Sequence, residues 1–381
     1  MKIVSVVGAR PNFMKVAPFC RALKAYPEVK HILVHTGQHY DVRMSEAFFK
    51  DLGIPSPDIN LEIGSGSHAE QVGKTMIAFE KVLQEEKPDW VVVLGDVNAT
   101  IACSVTAKKE HIKVAHIEAG LRSWDIDMPE EVNRLVTDRL SDLLFTPDKL
   151  SDKNLINEGV PQDRIKFVGN IMIDTLERER AKAGQININQ IVQENIIDEL
   201  VGRELPQLED NNFVAMTMHR PSNVDHDEIL APLMVYLLNE VTQQYPVIWA
   251  IHPRTLGKLK AFGLWDAVKS CKNLLLVKPL GYHAMLRLNM GAKLFMTDSG
   301  GLQEECCVLG TPCLTMRWNT ERPITLAENG GASVLVGNDV AKIRQSFNQA
   351  ASESRHLMRP ELWDGKTAER IAEILVASDE K

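Results

Sequence analysis

No apolar run in this 381-residue sequence approaches the length that a membrane-spanning helix requires, about 18 residues. The apolar stretch from Ile3 to Val7 is too short for the core of a secretion signal and predicts a first strand instead. The 6 cysteines include no CxxC pair, so neither a disulfide framework nor a cysteine zinc site is indicated. We therefore expect reduced cysteines, a cytoplasmic location and no membrane partner.

The sequence is also short of positive charge. It has 43 Lys and Arg against 51 Asp and Glu, which gives a formal net charge of −8. Binding of nucleic acid without regard to its sequence needs a basic face for the phosphates, so no nucleic-acid partner is expected. A small anionic ligand is still allowed, because a few arginines can line a pocket. Since 44% of the residues are hydrophobic and 25% charged, the composition excludes whole-chain disorder and indicates a globular protein.

Common cofactor and metal signatures are missing as well. The GARPNFMK segment has neither the GxGxxG spacing of a dinucleotide site nor the spacing of a P-loop. The chain also has no HExxH segment, so a zinc site of that type is not indicated. We predict that the protein uses no cofactor and no metal ion.

Short apolar runs alternate with longer amphipathic stretches, a pattern typical of parallel sheets covered by helices on both faces. Six such runs precede a polar, Asn- and Gln-rich segment, and six follow it. The predicted strands are 2–8, 31–37, 90–96, 114–120, 143–147, 165–170, 213–219, 247–253, 274–279, 294–300, 312–317 and 333–337. The pattern predicts an α/β protein of two doubly wound domains, with a linker near 172–178 and a last helix over Lys366–Ala377.

Polar and charged residues end nearly every predicted strand. Ligands of doubly wound sheets bind beyond the carboxyl ends of the strands, and a cleft between two such domains is the default site. A scaffold would not require reactive side chains at so many strand ends. We therefore predict an enzyme.

The segment TDSGGLQEE predicts a strand end, a turn of small residues and the start of a helix. Ser299, Gly300 and Gly301 would let backbone N–H groups approach an anion at the positive end of that helix. Glu305 lies farther along the helix, where a carboxylate can accept hydrogen bonds from ribose hydroxyls. The alternative is an ordinary helix cap formed by Asp298 or Ser299, which would not require two glycines.

Two cations follow the first predicted strand. Arg10 stands at the strand end, and Lys15 lies one turn inside the helix that Pro11 favours. Both suit the charge of a phosphate group. The alternative is a pair of solvent-exposed surface cations.

Three carboxylates follow later strands of the first half: Asp96, Glu118 and Glu130. Acids that converge on one substrate can divide the roles of proton donor and proton acceptor. The alternatives are a helix cap for Asp96, an ion pair with Arg122 for Glu118, and a helix-start charge for Glu130 and Glu131.

Two histidines end neighbouring predicted strands of the second half. His219 stands beside Arg220, and His252 lies two residues before Arg254. A single histidine is usually structural, but two at equivalent strand ends favour phosphate binding or acid–base chemistry.

Taken together, these motifs resemble one family, the non-hydrolysing UDP-N-acetylglucosamine 2-epimerases. The resembling segments are GARPNFMKVAP, TGQHYD, GDVNAT, HIEAGLRS, MPEEVNR, DLLFTP, VGN, MHRPSNVD, TDSGGLQEE, NTERP and WDGKTAERI. The resemblance implies a GT-B arrangement: two Rossmann-like domains face a cleft, and the C-terminal helix crosses back to the first domain. It also implies a homodimer. The implied domains are residues 1–174 with 362–381, and residues 175–361, which bind UDP.

The resemblance further implies an activity and roles for single residues. The reaction inverts C2 of UDP-GlcNAc to give UDP-ManNAc reversibly, by elimination of UDP and its re-addition. Asp96, Glu118 and Glu130 match the family's acid–base carboxylates, and His219 matches its active-site histidine. Which carboxylate takes the C2 proton is left open. The residues expected to contact UDP or the sugar are Arg10, Lys15, Arg134, His252, Arg254, Leu280, Met285, Ser299, Gly300, Gly301, Glu305 and Arg322. Of these, Glu305 would meet the uridine ribose, and Leu280 and Met285 the uracil base.

Two segments depart from the family's common pattern. GARPN stands where GTRPE is frequent, and HRPSN where HRxEN is frequent. In relatives that a second UDP-GlcNAc activates, the second segment and a glutamine after QH help to form the activator site. This chain has Pro221, Ser222 and Asp41 there, so the resemblance does not carry that activation over. The alternative functions are epimerisation of UDP-2,3-diacetamido-glucuronate, a GT-B glycosyltransferase, a hydrolysing epimerase and a nucleotide-sugar binding protein without turnover.

Overall fold

The computed structural model describes residues 1–8, 10–37, 53, 56–355 and 357–378, without the side chains of Arg10 and Pro11. The chain forms two compact units. Unit 1 comprises Met1–Glu177 and Pro360–Lys381, and unit 2 comprises Arg178–Arg359. No helix within the described ranges is long and apolar enough to cross a membrane.

Unit 1 is built on a parallel sheet. Its strands are β1 (Lys2–Val7), β2 (Lys30–His35), β3 (Ile59–Asn60), β4 (Trp90–Leu94), β5 (Lys113–Ile117), β6 (Leu143–Thr146) and β7 (Ile165–Phe167). They follow the order β3-β2-β1-β4-β5-β6-β7 across the sheet. The helices are α1 (Arg10–Ala22), α2 (His68–Glu86), α3 (Asn98–Lys109), α4 (Pro129–Leu140), α5 (Lys149–Asn157) and α6 (Ile171–Gly184). Val91, Val92 and Val93 of β4 are fully buried, as expected for a strand covered on both faces.

Unit 2 repeats this architecture with a second parallel sheet. Its strands are β8 (Val214–Thr217), β9 (Val247–Ala250), β10 (Leu274–Val277), β11 (Leu294–Thr297), β12 (Cys313–Thr315) and β13 (Ser333–Leu335). Their order is β10-β9-β8-β11-β12-β13. The helices are α7 (Ile188–Asn195), α8 (Pro221–Val224), α9 (Asp227–Tyr236), α10 (Thr242–Gln244), α11 (Pro253–Ala261), α12 (Trp265–Ser270), α13 (Tyr282–Gly291), α14 (Gly300–Leu309) and α15 (Val340–Ser352). A π-helical turn over Leu237–Val241 joins α9 to α10.

These two sheets, alternating with helices, confirm the predicted α/β class. Most predicted strands extend a few residues beyond the observed ones, because the polar residues at their carboxyl ends leave the sheet and form turns. Strand β3 was not predicted, since a two-residue strand such as Ile59–Asn60 leaves no periodic pattern.

The boundary between the two units falls within the segment predicted as the linker, near 172–178, but this segment is helical. Those residues lie inside α6, and the boundary between Glu177 and Arg178 falls within this helix. The segment has strong helix formers, and its buried Leu176 anchors it. The polar stretch that follows is also partly helical, because the Asn187 side chain caps α7 by accepting from two backbone N–H groups.

The last helix, α16 (Thr367–Ala377), belongs to unit 1. The Asp174 carboxylate on α6 accepts hydrogen bonds from the backbone N–H groups of Thr367 and Ala368, at 3.0 and 2.7 Å. Upstream of this helix, Trp363 donates from Nε1 to the carbonyl of Pro147 at 2.8 Å. A carboxylate at a helix N-terminus is favoured by the helix dipole, so this contact stabilises the start of α16.

Candidate active site

The carboxyl ends of β1, β4 and β5 lie side by side in unit 1, because these strands are neighbours in the sheet. Gly95 and Asp96 follow β4, and Glu118 follows β5. Gly95 and Glu118 both have left-handed backbone, with φ of 64° and 72°. For a residue other than glycine this conformation costs on the order of 1 kcal/mol and is concentrated at functional sites. The fold therefore imposes the position of Glu118 at some energetic cost.

Lys15 and Glu118 form a buried ion pair between Nζ and Oε2, with side chains only 7% and 3% exposed. Gly95 leaves room for this pair, because a Cβ there would lie 3.0 Å from Lys15 Nζ and 3.4 Å from Glu118 Oε2. The other oxygen, Oε1 of Glu118, is buried and has no hydrogen-bond partner among the described residues. Lys15 is thus not a solvent-exposed cation, and Glu118 keeps an acceptor for a ligand.

Asp96 pairs with Arg134, which a second carboxylate holds in place. Arg134 contacts Asp96 Oδ2 through Nη1, and it donates to Glu131 Oε2 from Nε and Nη2 at 2.9 and 2.6 Å. Glu131 also accepts from the backbone N–H groups of Ser123 and Trp124, each at 3.0 Å. Burial opposes ionisation of Glu131, but these donors outweigh it and lower its pKa. Arg134 is therefore placed to fix the orientation of Asp96.

The sequence also allowed structural roles for Asp96, as a helix cap, and for Glu130, as a charge at a helix start. Asp96 does not cap α3, which begins at Asn98 without a side-chain cap. Glu130 is exposed in the first turn of α4, where the helix dipole favours a carboxylate, while its neighbour Glu131 is buried. The structure thus surrounds Asp96 and Glu118 with partners but leaves Glu130 facing solvent.

A buried histidine connects the two turns that carry Asp96 and Glu118. His116 Nε2 lies 2.8 Å from the carbonyl oxygen of Gly95, and its Nδ1 lies 2.6 Å from Asp138 Oδ1. The other oxygen of Asp138 accepts from the backbone N–H of Gly120 at 3.0 Å and from Arg122 at 2.7 Å. Burial would raise the pKa of Asp138, but His116 and Arg122 outweigh it and hold the pKa below its ordinary value.

Both ring nitrogens of His116 are therefore engaged, one by the Gly95 carbonyl and the other by the Asp138 carboxylate. The predicted alternative that Arg122 pairs with Glu118 is wrong, since Arg122 pairs with Asp138 and Glu158.

In unit 2, the neighbouring strands β8 and β11 bring His219 to Asp298, which is fully buried. Asp298 Oδ2 accepts from the backbone N–H groups of His219 and Arg220, at 2.9 and 2.8 Å, and from Asn223 Nδ2 at 3.2 Å. Asp298 Oδ1 lies 3.0 Å from His219 Nδ1. Burial opposes ionisation, but His219 and these backbone donors outweigh it and lower the pKa of Asp298.

His252 lies beside His219, with ring centroids 5.5 Å apart. It is the N-cap of α11, and its Nδ1 accepts from the backbone N–H of Arg254 at 3.1 Å. Burial, together with His219 and Arg254, lowers the pKa of His252. The Arg254 side chain pairs with Asp225 at the surface. His252 therefore acts as a neutral cap that packs against His219.

The glycine pair of TDSGG stands at the start of α14. Ser299 is the N-cap residue but makes no side-chain cap, and Asp298 binds the end of β8 instead, so the capping alternative is wrong. A Cβ on Gly300 would lie 2.8 Å from Arg322 Nη1 and from Glu321 Oε1, whereas a Cβ on Gly301 would meet nothing within 4 Å. The helix start is thus closed on one side by Arg322 and open on the other.

Arg322 belongs to a buried cluster of charged side chains. Its Nε lies 2.8 Å from Glu304 Oε1, and its Nη1 contacts Glu321 Oε1. Glu321 also binds Arg317 at 2.7 Å. Two carboxylates therefore hold the guanidinium of Arg322 beside the start of α14.

Glu305, in the second turn of α14, is buried. Burial raises its pKa to about 7, assisted by the neighbouring Glu304 carboxylate and opposed by the nearby polar side chains of Tyr282 and Asn289. Leu280 is buried after β10, and Met285 on α13 packs against the same hydrophobic core.

The structure brings most of the predicted site residues into two groups. Unit 1 gathers Lys15, Asp96, Glu118 and Arg134, and unit 2 gathers His219, His252, Ser299, Gly300, Gly301, Glu305 and Arg322. Glu130 and Arg254 lie at the surface of their units. The side chain of Arg10 and residues 38–41 of the TGQHYD motif, including Asp41, lie outside the described residues.

Sequence reasoning missed the partners that hold these groups. Glu131 was treated only as a helix-start charge, and Asp298 only as a cap. His116 gave one signal, its place two residues before Glu118 in the HIEAGLRS segment. Within the described residues, no group of three or more His, Cys, Asp or Glu side chains could hold a metal ion.

Comparison with known proteins identifies the family. The UDP-N-acetylglucosamine 2-epimerase family matches residues 21–376. The UDP-N-acetylglucosamine 2-epimerase of Methanocaldococcus jannaschii is 41% identical over 98% of this chain and 99% of its own length. The UDP-2,3-diacetamido-2,3-dideoxy-D-glucuronate 2-epimerase of Pseudomonas aeruginosa is 37% identical, with the same coverage.

Comparison of the fold with solved structures identifies the same family. A crystal structure of the M. jannaschii enzyme in complex with UDP-GlcNAc and UDP matches with a TM-score of 0.87, over 99% of this chain and 100% of that one. The match extends over both units, so the resemblance seen in the motifs is confirmed. The chain belongs to the UDP-N-acetylglucosamine 2-epimerase family.

Proposed function

We propose that this protein catalyses the reversible epimerisation of UDP-N-acetylglucosamine at C2, which gives UDP-N-acetylmannosamine. The observation that carries the proposal is Glu118. This carboxylate is buried, held in left-handed backbone and paired with Lys15, and its second oxygen has no partner among the described residues. A fold that maintains such an arrangement supports acid–base chemistry at this strand end.

The proposed binding mode uses unit 2 for the nucleotide. Backbone N–H groups at the start of α14 and the guanidinium of Arg322 would meet the diphosphate, because anions bind at helix N-termini and beside arginine. Glu305 would accept hydrogen bonds from the ribose hydroxyls, while Leu280 and Met285 would contact the uracil base. Arg134 is better explained as a partner of Asp96 than as a substrate contact, since it is buried between Asp96 and Glu131.

The proposed reaction needs acids and bases around C1 and C2 of the sugar. The proton on C2 is not next to a carbonyl and is weakly acidic, so its removal must be coupled to departure of UDP. A carboxylate takes the C2 proton while the C1–O bond breaks, which leaves a C1–C2 double bond and free UDP. Re-addition of UDP to C1 and of a proton to the opposite face of C2 completes the inversion. Asp96, Glu118 and Glu130 are the proposed acids and bases, with His219 beside the departing diphosphate.

One substrate would have to engage carboxylates of unit 1 and the phosphate site of unit 2. We predict this joint engagement from the motifs, and an experimental structure with UDP-GlcNAc bound would test it.

The experiment that tests the proposed function is incubation of the purified protein with UDP-GlcNAc in D2O, followed by NMR. We expect UDP-ManNAc to form and solvent deuterium to appear at C2 of both epimers. A glycosyltransferase would release UDP only when an acceptor is supplied, and a hydrolysing epimerase would release free ManNAc. A binding protein would leave C2 unlabelled. Absence of both UDP-ManNAc and C2 deuterium would contradict the proposal.

A second candidate substrate is UDP-2,3-diacetamido-glucuronate, because the Pseudomonas aeruginosa epimerase named for this sugar is 37% identical to this chain. A panel of UDP sugars with acetamido, diacetamido and uronic-acid groups separates the two candidates. We expect the highest kcat/KM with UDP-GlcNAc. A higher value with the diacetamido-uronate would reassign the substrate within the family.

We also propose, from the resemblance, that the protein is a homodimer that acts in the cytoplasm. Light scattering after size-exclusion chromatography measures the first point directly. A dimer mass is expected, and a monomer at micromolar concentration would contradict it.

A further inference from the structure

Glu131, the second acid of the MPEEVNR segment, is enclosed by hydrogen-bond donors. Its side chain is only 2% exposed. Oε2 accepts from the backbone N–H and from the hydroxyl of Ser123, each at 3.0 Å, and Oε1 accepts from the backbone N–H of Trp124 at 3.0 Å. A carboxylate that is bound at both oxygens cannot rotate without losing buried hydrogen bonds, which is costly. Glu131 is therefore fixed relative to the turn that follows Glu118.

Glu131 in turn fixes one edge of the Arg134 guanidinium, one helical turn farther along α4. Nε and Nη2 of Arg134 lie along the same edge, and they donate to Glu131 Oε2 at 2.9 and 2.6 Å. The remaining nitrogen, Nη1, contacts Asp96 Oδ2. Because a guanidinium is planar and its donors have a fixed geometry, binding of one edge determines where Nη1 points. Glu131 thus sets the direction from which Arg134 holds Asp96.

Helix α4 also holds the backbone of Asp96. Asn133, the residue before Arg134, donates from Nδ2 to the carbonyl oxygen of Asp96 at 2.8 Å. The Asp96 side chain is nevertheless 24% exposed, whereas the side chains of Arg134 and Glu131 are each 2% exposed. The supporting pair is therefore enclosed, and the carboxylate that it supports stays accessible to a ligand.

We propose that Glu131 is a positioning residue, which acts through Arg134 to hold the Asp96 carboxylate in the orientation needed for proton transfer at the sugar. This inference rests on the proposed function, in which Asp96 is one of the acids and bases. Glu131 itself does not touch the substrate, because protein donors occupy both of its oxygens. The adjacent Glu130 is exposed and keeps its separate role as a proposed acid or base.

The substitution Glu131→Gln tests the proposal. An amide has only one oxygen, so its NH2 group must face either the N–H of Trp124 or the guanidinium of Arg134, both of which also donate. The guanidinium then loses its fixed edge, and Asp96 loses its fixed partner. We expect kcat to fall by about 10- to 100-fold, because a small misplacement of a reacting group is enough for such a loss. The Kd for UDP should stay nearly unchanged, since the nucleotide is proposed to bind unit 2.

Asp142→Asn is the matched control. The Asp142 carboxylate also binds a backbone N–H and a cation, because its Oδ2 accepts from Val114 at 2.8 Å and from Lys108 Nζ at 2.9 Å. These contacts lie at the amino end of β5, whereas Asp96 and Glu118 follow the carboxyl ends of their strands. Asp142→Asn should lower the free energy of unfolding but leave kcat near the wild-type value. A loss of kcat in Glu131→Gln alone would separate positioning from a general loss of stability.

A 1H–15N NMR spectrum of the arginine side chains measures the contact without turnover. The Nε–H of Arg134, assigned by its absence in Arg134→Lys, should exchange slowly with water in the wild type because it is buried and bound to Glu131. We expect fast exchange in Glu131→Gln and slow exchange in Asp142→Asn. Fast exchange of this proton in the wild type would overturn the proposal, and that result needs no variant of Glu131.

The kinetics provide further results that would overturn the proposal. One is an unchanged kcat in Glu131→Gln. In the Asp96→Asn background, Glu131→Gln should lower kcat little further, because the two residues act as a unit. A further loss as large as in the wild-type background would show that Glu131 does not act through Asp96. Absence of epimerase activity in the wild type would reject the proposed function itself, and slow Nε–H exchange would then show that the contact exists without that reaction.

Discussion

At the scale of single residues, the main feature is that glutamates at different positions lie in different environments. Glu118 is paired with a cation, Glu131 is enclosed by backbone and guanidinium donors, and Glu305 is buried beside Glu304. Environment decides whether a carboxylate holds structure, binds a hydroxyl or moves a proton. Predictions about single side chains therefore follow from their partners.

Glu118→Gln should lower kcat for epimerisation by about 10²–10⁴-fold, since the amide cannot accept or release the proton in the reaction. UDP affinity should stay nearly unchanged, because the nucleotide groups are proposed to lie in unit 2. Steady-state kinetics and UDP titration calorimetry measure the two quantities. Glu85→Gln, an exposed substitution on α2, is the matched control and should keep wild-type activity. Full activity in Glu118→Gln would remove this residue from the mechanism.

Glu305 should make the stability of the ligand-free protein depend on pH. Burial raises its pKa from 4.5 to about 7, so between these values the unfolded chain loses a proton that the folded chain retains. The free energy of unfolding should therefore fall as the pH rises from 4.5 to 7, by about 3 kcal/mol for this group. Glu305→Gln should remove that slope. Urea denaturation of both proteins at several pH values provides the measurement, and parallel curves would contradict the expectation.

At the scale of elements, the start of α14 shows what two consecutive glycines contribute. Gly300 has no room for a Cβ because Arg322 and Glu321 lie 2.8 Å from that position, whereas Gly301 faces open space. The two positions are chemically identical but differ in what surrounds them. They form a matched pair for testing the proposed phosphate site.

Gly300→Ala should lower the free energy of unfolding and weaken UDP binding, because it displaces the guanidinium of Arg322. Gly301→Ala should leave the free energy of unfolding nearly unchanged but still weaken UDP binding, since its methyl group would occupy the space proposed for the diphosphate. Thermal denaturation and UDP titration separate the two effects. Unchanged UDP affinity in Gly301→Ala would place the diphosphate elsewhere.

Elements were largely predictable from the sequence, and their side-chain partners were not. Buried strands such as Trp90–Leu94 and the helix His68–Glu86 have periodic patterns that local sequence determines. Asp298 illustrates the limit, because its role depends on β8 lying next to β11, about 80 residues away in sequence. The helix through residues 172–178 was missed because a change in composition was interpreted as a linker. Glu130 and Glu131 are adjacent and identical in sequence terms, so only the packing of α4 shows that Glu131 is buried and Glu130 exposed.

At the scale of the whole molecule, the two units share one architecture but have different functional side chains at their strand ends. Unit 1 has carboxylates paired with cations at its strand ends, and unit 2 has a glycine-rich helix start, an arginine and a histidine close to Asp298. The proposed elimination of UDP would use both sets of groups, because it couples proton removal to departure of the diphosphate. The division of residues between the units is thus the expected one for the proposed reaction.

The most direct measurement is an experimental structure of this protein with UDP-GlcNAc bound. We predict that the uridine ribose contacts Glu305, that the diphosphate contacts the start of α14, and that C2 of the sugar lies within reach of Asp96 or Glu118. A bound nucleotide sugar whose C2 is remote from both carboxylates would exclude them as the acids and bases of the reaction.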